Sequence, residues 1–402
     1  MQIDFHYYAT YCAAIIAGYT HEESLAIGYS AQLVDECSRT FLKTVHGPSS
    51  AATTQLQLEL MDARTDSVGL QDITRIWASF HFLPADLQAE HKKCSKRYLN
   101  KYRLICGPNG DLVVDTVELA RGGGLQAAGI AMHVLADTWA HRYFAGIPSL
   151  VINNTNGHFY EIRSEEGHLV ERKIDFRHSP SEPDDLEAGI YTNSVAQGGE
   201  NSIMNLGHGR AGHLPDYSFM RYRYLPAWGG YREVVKNNPS DYLHAFCQMV
   251  YALRCLKEDG ATEESPRSKA AAIPVGALRA VSEIRAELPA FAKDTYEIDS
   301  VLPWEKEIKD ILVRRQLDAS EDWKAFGEKL SGQAIEAFDS GKYKEEFLSA
   351  PSDVKDETFL GKFFLAALAQ KSMVTNRIYA SGNRLAGISV SKTKADPKEG
   401  KK

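Results

Sequence analysis

No run of about 18 apolar residues occurs in the 402-residue chain, so no membrane-spanning helix is expected. A basic surplus is missing as well: the net charge is −7, which supplies no global field for nucleic acid or an anionic membrane. The six cysteines, Cys12, Cys37, Cys94, Cys106, Cys247 and Cys255, contain no CxxC pair and no dense spacing. They read as reduced core thiols of a cytoplasmic protein. The opening "MQIDFHYYATYCAAIIAGYTHEE" lacks the basic residues that begin a signal peptide, and it reads as mature sequence. The glycine-rich "RGGG" at 121–124 lacks the GK[ST] ending of a phosphate-cradling loop. We find no convincing Ser-His-Asp or Cys-His arrangement and no internal repeat.

What is present is an ordinary globular composition, 44% hydrophobic and 25% charged, long enough for one large domain or two smaller ones. Helical patterns dominate. His6 to Ala17 reads as a first helix with Gly18 as its stop. Thr20 with Glu23 three residues on forms a capping-box signature for a second helix reaching roughly Val45. "RGGGLQAAGIAMHVLADTWAHRYFAG" reads as a turn feeding a long helix, with Gly146 placed to end it. Polar and apolar residues alternate over "HFYEIRSEEGHLVERKIDFRH" about a Glu-Glu-Gly turn, which predicts a β-hairpin insertion at about 156–180. Residues 238–256 read as another buried helix. The expected organisation is a helical domain over 1–256, a polar linker at 257–272, a helical region at 273–387 and a charged, disordered tail at 388–402.

The helix around residue 137 carries the chemistry. His133, Asp137 and His141 recur at i, i+4 and i+8, forming one stripe with steps of about 6 Å along the axis. That spacing suits two adjacent metal ions about 3.5–4 Å apart, with the central carboxylate bridging and one histidine reaching each. Imidazole and carboxylate ligands favour zinc, with manganese or iron as alternatives. The plainer reading is a set of hydrogen-bonded polar groups on a helix edge. Three ligand types among Val134, Leu135, Ala136 and Trp139 weigh against it, because buried ionisable groups need partners.

One helix cannot complete such a site. His6, Asp35 in "YSAQLVDEC", His81 in "IWASFHFLP", and His208, His213 and Asp216 in "LGHGRAGHLPDYSF" are the candidates to finish it. Each taken singly is as readily a satisfied polar group. His21, His91, His158, His168 and His178 read as solvated. Arg142 and Arg210 stand next to predicted ligands and suit bidentate contacts to phosphate oxygens, or equally surface ion pairs. "MRYRYLPAWGGYR" at 220–232 mixes arginine with aromatic residues and is the best candidate for a stacking surface.

The order His6, Asp35, His81, His133-x3-Asp137-x3-His141 and a final His/Asp pair resembles the zinc-dependent phospholipase C and single-strand nuclease superfamily. "HVLADTWAHRYF" is similar to the helix of fungal heterokaryon-incompatibility proteins related to it. The N-terminal pattern and "LGHGRAGHLPDYSF" resemble a bacterial family of unknown function. The resemblance covers roughly residues 1 to 255 as scattered motifs. It implies a mainly α, multi-helix phospholipase C/nuclease-like domain with a cleft holding up to three zinc ions. Position by position, it makes metal ligands of Met1, His6, Asp35, His81, His133, Asp137, His141, His208, His213 and Asp216. The gap from Asp137 to His141 is shorter than in the lipases and nucleases, and the final pair departs from their one-turn spacing. In those enzymes the mature N-terminal residue chelates zinc. Here Met1 takes that part, since bulky Gln2 protects it from removal and a free α-amine titrates near pH 7.7–8.0.

The chemistry this implies is hydrolysis of a phosphoester, whether phospholipid, nucleotide or nucleic acid, with Asp137, Asp35, Arg142 and Arg210 as the acting residues. The alternative is a non-catalytic, metal-stabilised binding or toxin-like module. An open coordination position separates the two, since structural sites are closed.

Overall fold

The structure is a computed structural model, and it describes residues 1–63, 67–177, 189–191, 206–258 and 301–386. The chain begins not with a regular α-helix but with a π-helical turn, Asp4–Ala9, which runs straight into α1, Thr10–Ile16. Turns of this wider kind are rare and cluster at functional sites. The buried Asp4 carboxylate anchors it, accepting from its neighbour Phe5 N at 2.7 Å and from Ala319 N at 3.3 Å. Burial pushes that carboxyl up to about 7. Gly18 stops α1 at φ +93°, a conformation favourable only to glycine.

The capping box forms as the sequence predicts. Thr20 accepts from Glu23 N, and the Glu23 carboxylate accepts from Thr20 N at 2.8 Å, opening α2, His21–Glu36. That helix ends nine residues short of Val45. Ser38 acts as a fresh N-cap, accepting from Phe41 N and starting a separate short helix, Arg39–Thr44. The freed end of α2 is satisfied by Thr53, whose hydroxyl donates to Val34 O at 2.6 Å.

The central element is the buried helix of residues 124–140. Before it come α3, Ser67–Phe80, and α4, Asp111–Ala120, so the central helix is α5, Gly124–Ala140. It is packed by α2 on one side and by α6, Asn238–Glu258, on another. At the α2 crossing a Cβ on Gly129 would lie 2.4 Å from Ile27 O and 2.5 Å from the Ser30 Cβ. Gly129→Ala is therefore expected to cost about 1–3 kcal/mol through overpacking. Urea unfolding checks this; a change under about 0.5 kcal/mol would mean the crossing gives way freely.

Gly146 does not end α5. The helix stops at Ala140, His141 takes the cap position, and Tyr143 reverses the chain at φ +81°. Gly146 is instead a close approach: a Cβ there would lie 2.8 Å from Ala78 N.

The hairpin lies within its expected span, with β1, Tyr160–Glu165, paired to β2, His168–Lys173. Glu166 and Gly167 both have positive φ, the two-residue turn that matches strand twist. It is half of a four-stranded antiparallel sheet ordered β2-β1-β3-β4, completed by β3, Arg221–Tyr224, and β4, Val234–Asn237. The alternation of "RYRY" puts Tyr222 and Tyr224 fully inside, where Tyr224 stacks on Phe144 and Phe159. Arg223 pairs with Glu171 and Glu233. The expected stacking surface at 220–232 is thus strand only over Arg221–Tyr224, where Tyr222 and Tyr224 are buried, and in the turn that follows Trp228 Nε1 donates to Tyr143 O.

After residue 300 come α7, Glu305–Val313, α8, Ser320–Ser331, and α9, Phe359–Ala380. These belong to the same core as the start of the chain. Buried Trp323 packs edge-on against Phe5 and stacks on Phe246, and one apolar cluster extends from Met1 to Ala386. Helix α6 runs on to Glu258; residues 259–272 of the expected linker and the expected tail 388–402 lie outside the described residues. Among the described residues no helix is long and apolar enough to cross a membrane, and none of the six cysteines forms a disulfide.

Candidate metal centre

From Gln126 to Ala140 every residue of α5 is buried, His133 and Asp137 included. A carboxylate and an imidazole in that position require partners. They find them in a cluster drawn from five parts of the chain.

Asp137 is the hub. Its Oδ1 lies 3.0 Å from the Met1 amine and 3.2 Å from His6 Nε2, while its Oδ2 lies 3.2 Å from both His81 Nδ1 and His133 Nε2. Asp35, on the last turn of α2, faces the same imidazoles at 3.7–3.9 Å. The cap position turns His141 toward a second carboxylate, with Nε2 3.2 Å from Asp216 Oδ1. His208 Nε2 approaches that oxygen at 3.5 Å, and His213 Nδ1 meets Asp216 Oδ2 at 3.1 Å. The Met1 amine joins the two halves, 3.3 Å from Asp216 Oδ1 and 3.4 Å from His141 Nε2.

All ten residues expected as ligands therefore converge. Eight of them fall into three compact groups: His6, His133 and Asp137; Asp35, His81 and His133; and His141, His208 and Asp216. The Met1 amine and His213 border these groups through Asp137 and Asp216.

The outer contacts are as informative as the inner ones. His133 Nδ1 faces Ala31 O at 2.9 Å, His141 Nδ1 faces His81 O at 2.7 Å, His81 Nε2 faces Thr53 O at 3.0 Å, and His208 Nδ1 faces Gly212 O at 2.8 Å. A carbonyl accepts only, so each of those nitrogens is the donor. The opposite nitrogen is then the one turned toward the carboxylates. Metal-bound histidines are held in this way. His6 goes further: it stacks on His133 at 3.8 Å, and its buried Nδ1 has no hydrogen-bond partner among the described residues.

Electrostatics keep the two carboxylates and two of the imidazoles in the forms that metal ions need, and hold the amine protonated. Burial lowers His6 and His208 to about 4, so both are neutral near pH 7. Burial alone would raise Asp137, but His141, the Met1 amine, His133 and His6 outweigh it and hold the carboxyl well below its usual range. His208 and the Met1 amine do the same for Asp216. Burial would lower the amine, yet Asp137, Asp216 and Asp35 raise it to about 11, well above the 7.7–8.0 of a free chain end. A metal ion bound through that amine would have to displace its proton.

The family model for a family of unknown function, DUF6765, matches residues 1–378. The chain belongs to that family. The match takes in the whole cluster and most of the C-terminal helices. No curated protein and no solved structure matches the chain.

Of the two arginines expected to act, Arg142 ion-pairs with Asp241 at 3.0 Å and lies over the Tyr143 ring. Arg210 is half-buried in the turn between His208 and His213. The discounted histidines divide as follows. His158 and His168 are exposed, while His21 bonds the Tyr11 hydroxyl and His91 packs against Tyr98 and Tyr102. His178 lies outside the described residues. Sequence reading missed the backbone carbonyls of Ala31, Thr53, His81 and Gly212, because a carbonyl acceptor leaves no residue-type signal.

Proposed function

We propose that this cluster is a di- or trinuclear metal centre, zinc by its donor set with manganese or iron as alternatives, and that the protein hydrolyses phosphoesters. The observation that carries the reading is the orientation of the imidazoles: four pin one nitrogen to a backbone carbonyl and aim the other at Asp137, Asp35 or Asp216. Six or more nitrogen and oxygen donors with no sulfur fit these ions. Bound divalent ions would acidify water and neutralise charge developing on phosphoryl oxygens.

The chain's own residues then divide the work. Asp137, 1% exposed, holds its two oxygens toward different groups and fixes their separation. Asp35, at 31% exposure, stands where the cluster meets solvent and accepts the proton of an attacking water. His213, at 37%, marks the other rim and orients Asp216. That opening supports a hydrolase over a closed structural site. Arg142 keeps no phosphate role here, since Asp241 holds its guanidinium; Arg210 remains the cation on the His208–His213 turn.

The test is turnover of bis(p-nitrophenyl) phosphate, phosphatidylcholine vesicles and single-stranded DNA by zinc-loaded protein. Asp35→Asn is expected to lower kcat by about 10²–10⁴-fold, the range for removing a general base. Metal-loaded wild type that cleaves none of these substrates would leave the cluster as the stabilising element of a binding module.

A further inference from the structure

The stretch where β4 runs directly into α6, "KNNPSDY" at 236–242, touches both halves of the third ligand group without contributing a ligand. Lys236 is 1% exposed, an unusual place for a lysine unless it is paired. Its ammonium donates to Trp139 O at 2.9 Å, a carbonyl left over at the end of α5, and to Asp241 Oδ2 at 2.5 Å. Asp241 Oδ1 takes Arg142 at 3.0 Å. Trp139, two residues before His141, and Arg142, the residue after it, are thereby tied to one carboxylate, the former through Lys236.

The same stretch holds the other half. Asn238, fully buried, donates from Nδ2 to Leu214 O at 2.8 Å and Tyr217 O at 2.9 Å, with Pro215 O at 3.4 Å. The Tyr242 hydroxyl, one helical turn on, lies 2.8 Å from Asp216 O and 3.1 Å from Pro215 O. Every carbonyl of the 214–217 turn that carries Asp216 is therefore fixed from 238 or 242. The turn is short and includes a proline, and it has no side-chain cap of its own.

We propose that Lys236, Asn238, Asp241 and Tyr242 form a positioning brace that registers His141 against Asp216, so setting the affinity of the third ligand group while leaving the Asp137-centred groups alone. This rests on the metal-centre reading above. The brace acts through backbone carbonyls at both ends: Trp139 O fixes where His141 leaves the helix, and the 214–217 carbonyls fix the rotation of the Asp216 carboxylate. Partners of this kind change metal affinity by about 10–100-fold when removed.

The experiment is zinc titration with mass-spectrometric stoichiometry on full-length, C-terminally tagged wild type, Tyr242→Phe and Asn238→Ala. Tyr19→Phe is the control, since it loses a comparable hydroxyl bond, to Leu253 O at 3.0 Å, remote from the turn. Thermal unfolding of each protein confirms that it is folded. The expected result is that Tyr242→Phe and Asn238→Ala weaken one class of zinc sites about 10–100-fold and leave the rest unchanged, with Tyr19→Phe like wild type. Adding Asn238→Ala to Asp216→Asn should cost no further zinc. Unchanged affinity in folded Tyr242→Phe and Asn238→Ala, or equal weakening of all sites, overturns the brace. A wild type that binds no zinc overturns the metal centre itself.

Discussion

Asp137→Asn protein is expected to lose metal from the His6–His133–Asp137 group and from the neighbouring group that shares His133, and to unfold more readily than wild type. The substitution is nearly isosteric, so its effect reports charge rather than volume. Asp137 is 1% exposed and faces the Met1 ammonium and three imidazoles at 3.0–3.2 Å. A neutral amide bridges ions poorly, and it leaves the buried ammonium with Asp216 as its remaining close carboxylate at 3.3 Å. Breaking a buried charge pair from one side costs about 3–5 kcal/mol. Denaturant unfolding and metal analysis of the same preparation read both effects. An Asp137→Asn protein with wild-type metal content and stability would mean that the carboxylate is only a satisfied polar group on a helix edge.

The second large effect concerns the amine. Extending the chain before Met1 by an uncleaved tag converts a buried cation into a neutral amide and forces residues between Asp137, Asp216 and His141, all within 3.4 Å of that nitrogen. Loss of bound metal is expected, with destabilisation of about 3–5 kcal/mol. A cleavable tag makes the test reversible: cleavage to Met1 restores both properties, and a C-terminal tag leaves them unchanged. An N-terminally extended protein that keeps full metal content would remove the amine from the ligand set.

Much of the site was legible because its chemistry is carried by residue type. The stripe His133, Asp137, His141 stands out in an apolar helix, and the histidines and aspartates that join it were each readable as candidates. The Thr20–Glu23 capping box and the Glu166–Gly167 turn were equally local, and both formed. What escaped depends on contacts between distant segments. The end of α2 is decided by Ser38 and Thr53 competing for backbone groups, which the continuing apolar pattern hides. The end of α5 at Ala140 is decided by the reversal at Tyr143, not by Gly146. That difference matters, because as a cap residue His141 can turn to Asp216 instead of continuing the stripe. The π-helical turn at Asp4–Ala9 depends on Ala319, more than 300 residues away. Arg142 looked like a phosphate ligand from its neighbour in sequence, while its partner Asp241 was visible only in three dimensions.

The most direct measurement is the metal content of native, C-terminally tagged wild type by plasma mass spectrometry, beside His133→Ala/Asp137→Ala. The account predicts two to three equivalents of zinc or a similar divalent ion in wild type, matching the ligand groups, and loss of most of it in the double variant. Folded wild type that carries no metal even after zinc loading would contradict it, and the buried histidines and aspartates would then be a hydrogen-bonded core.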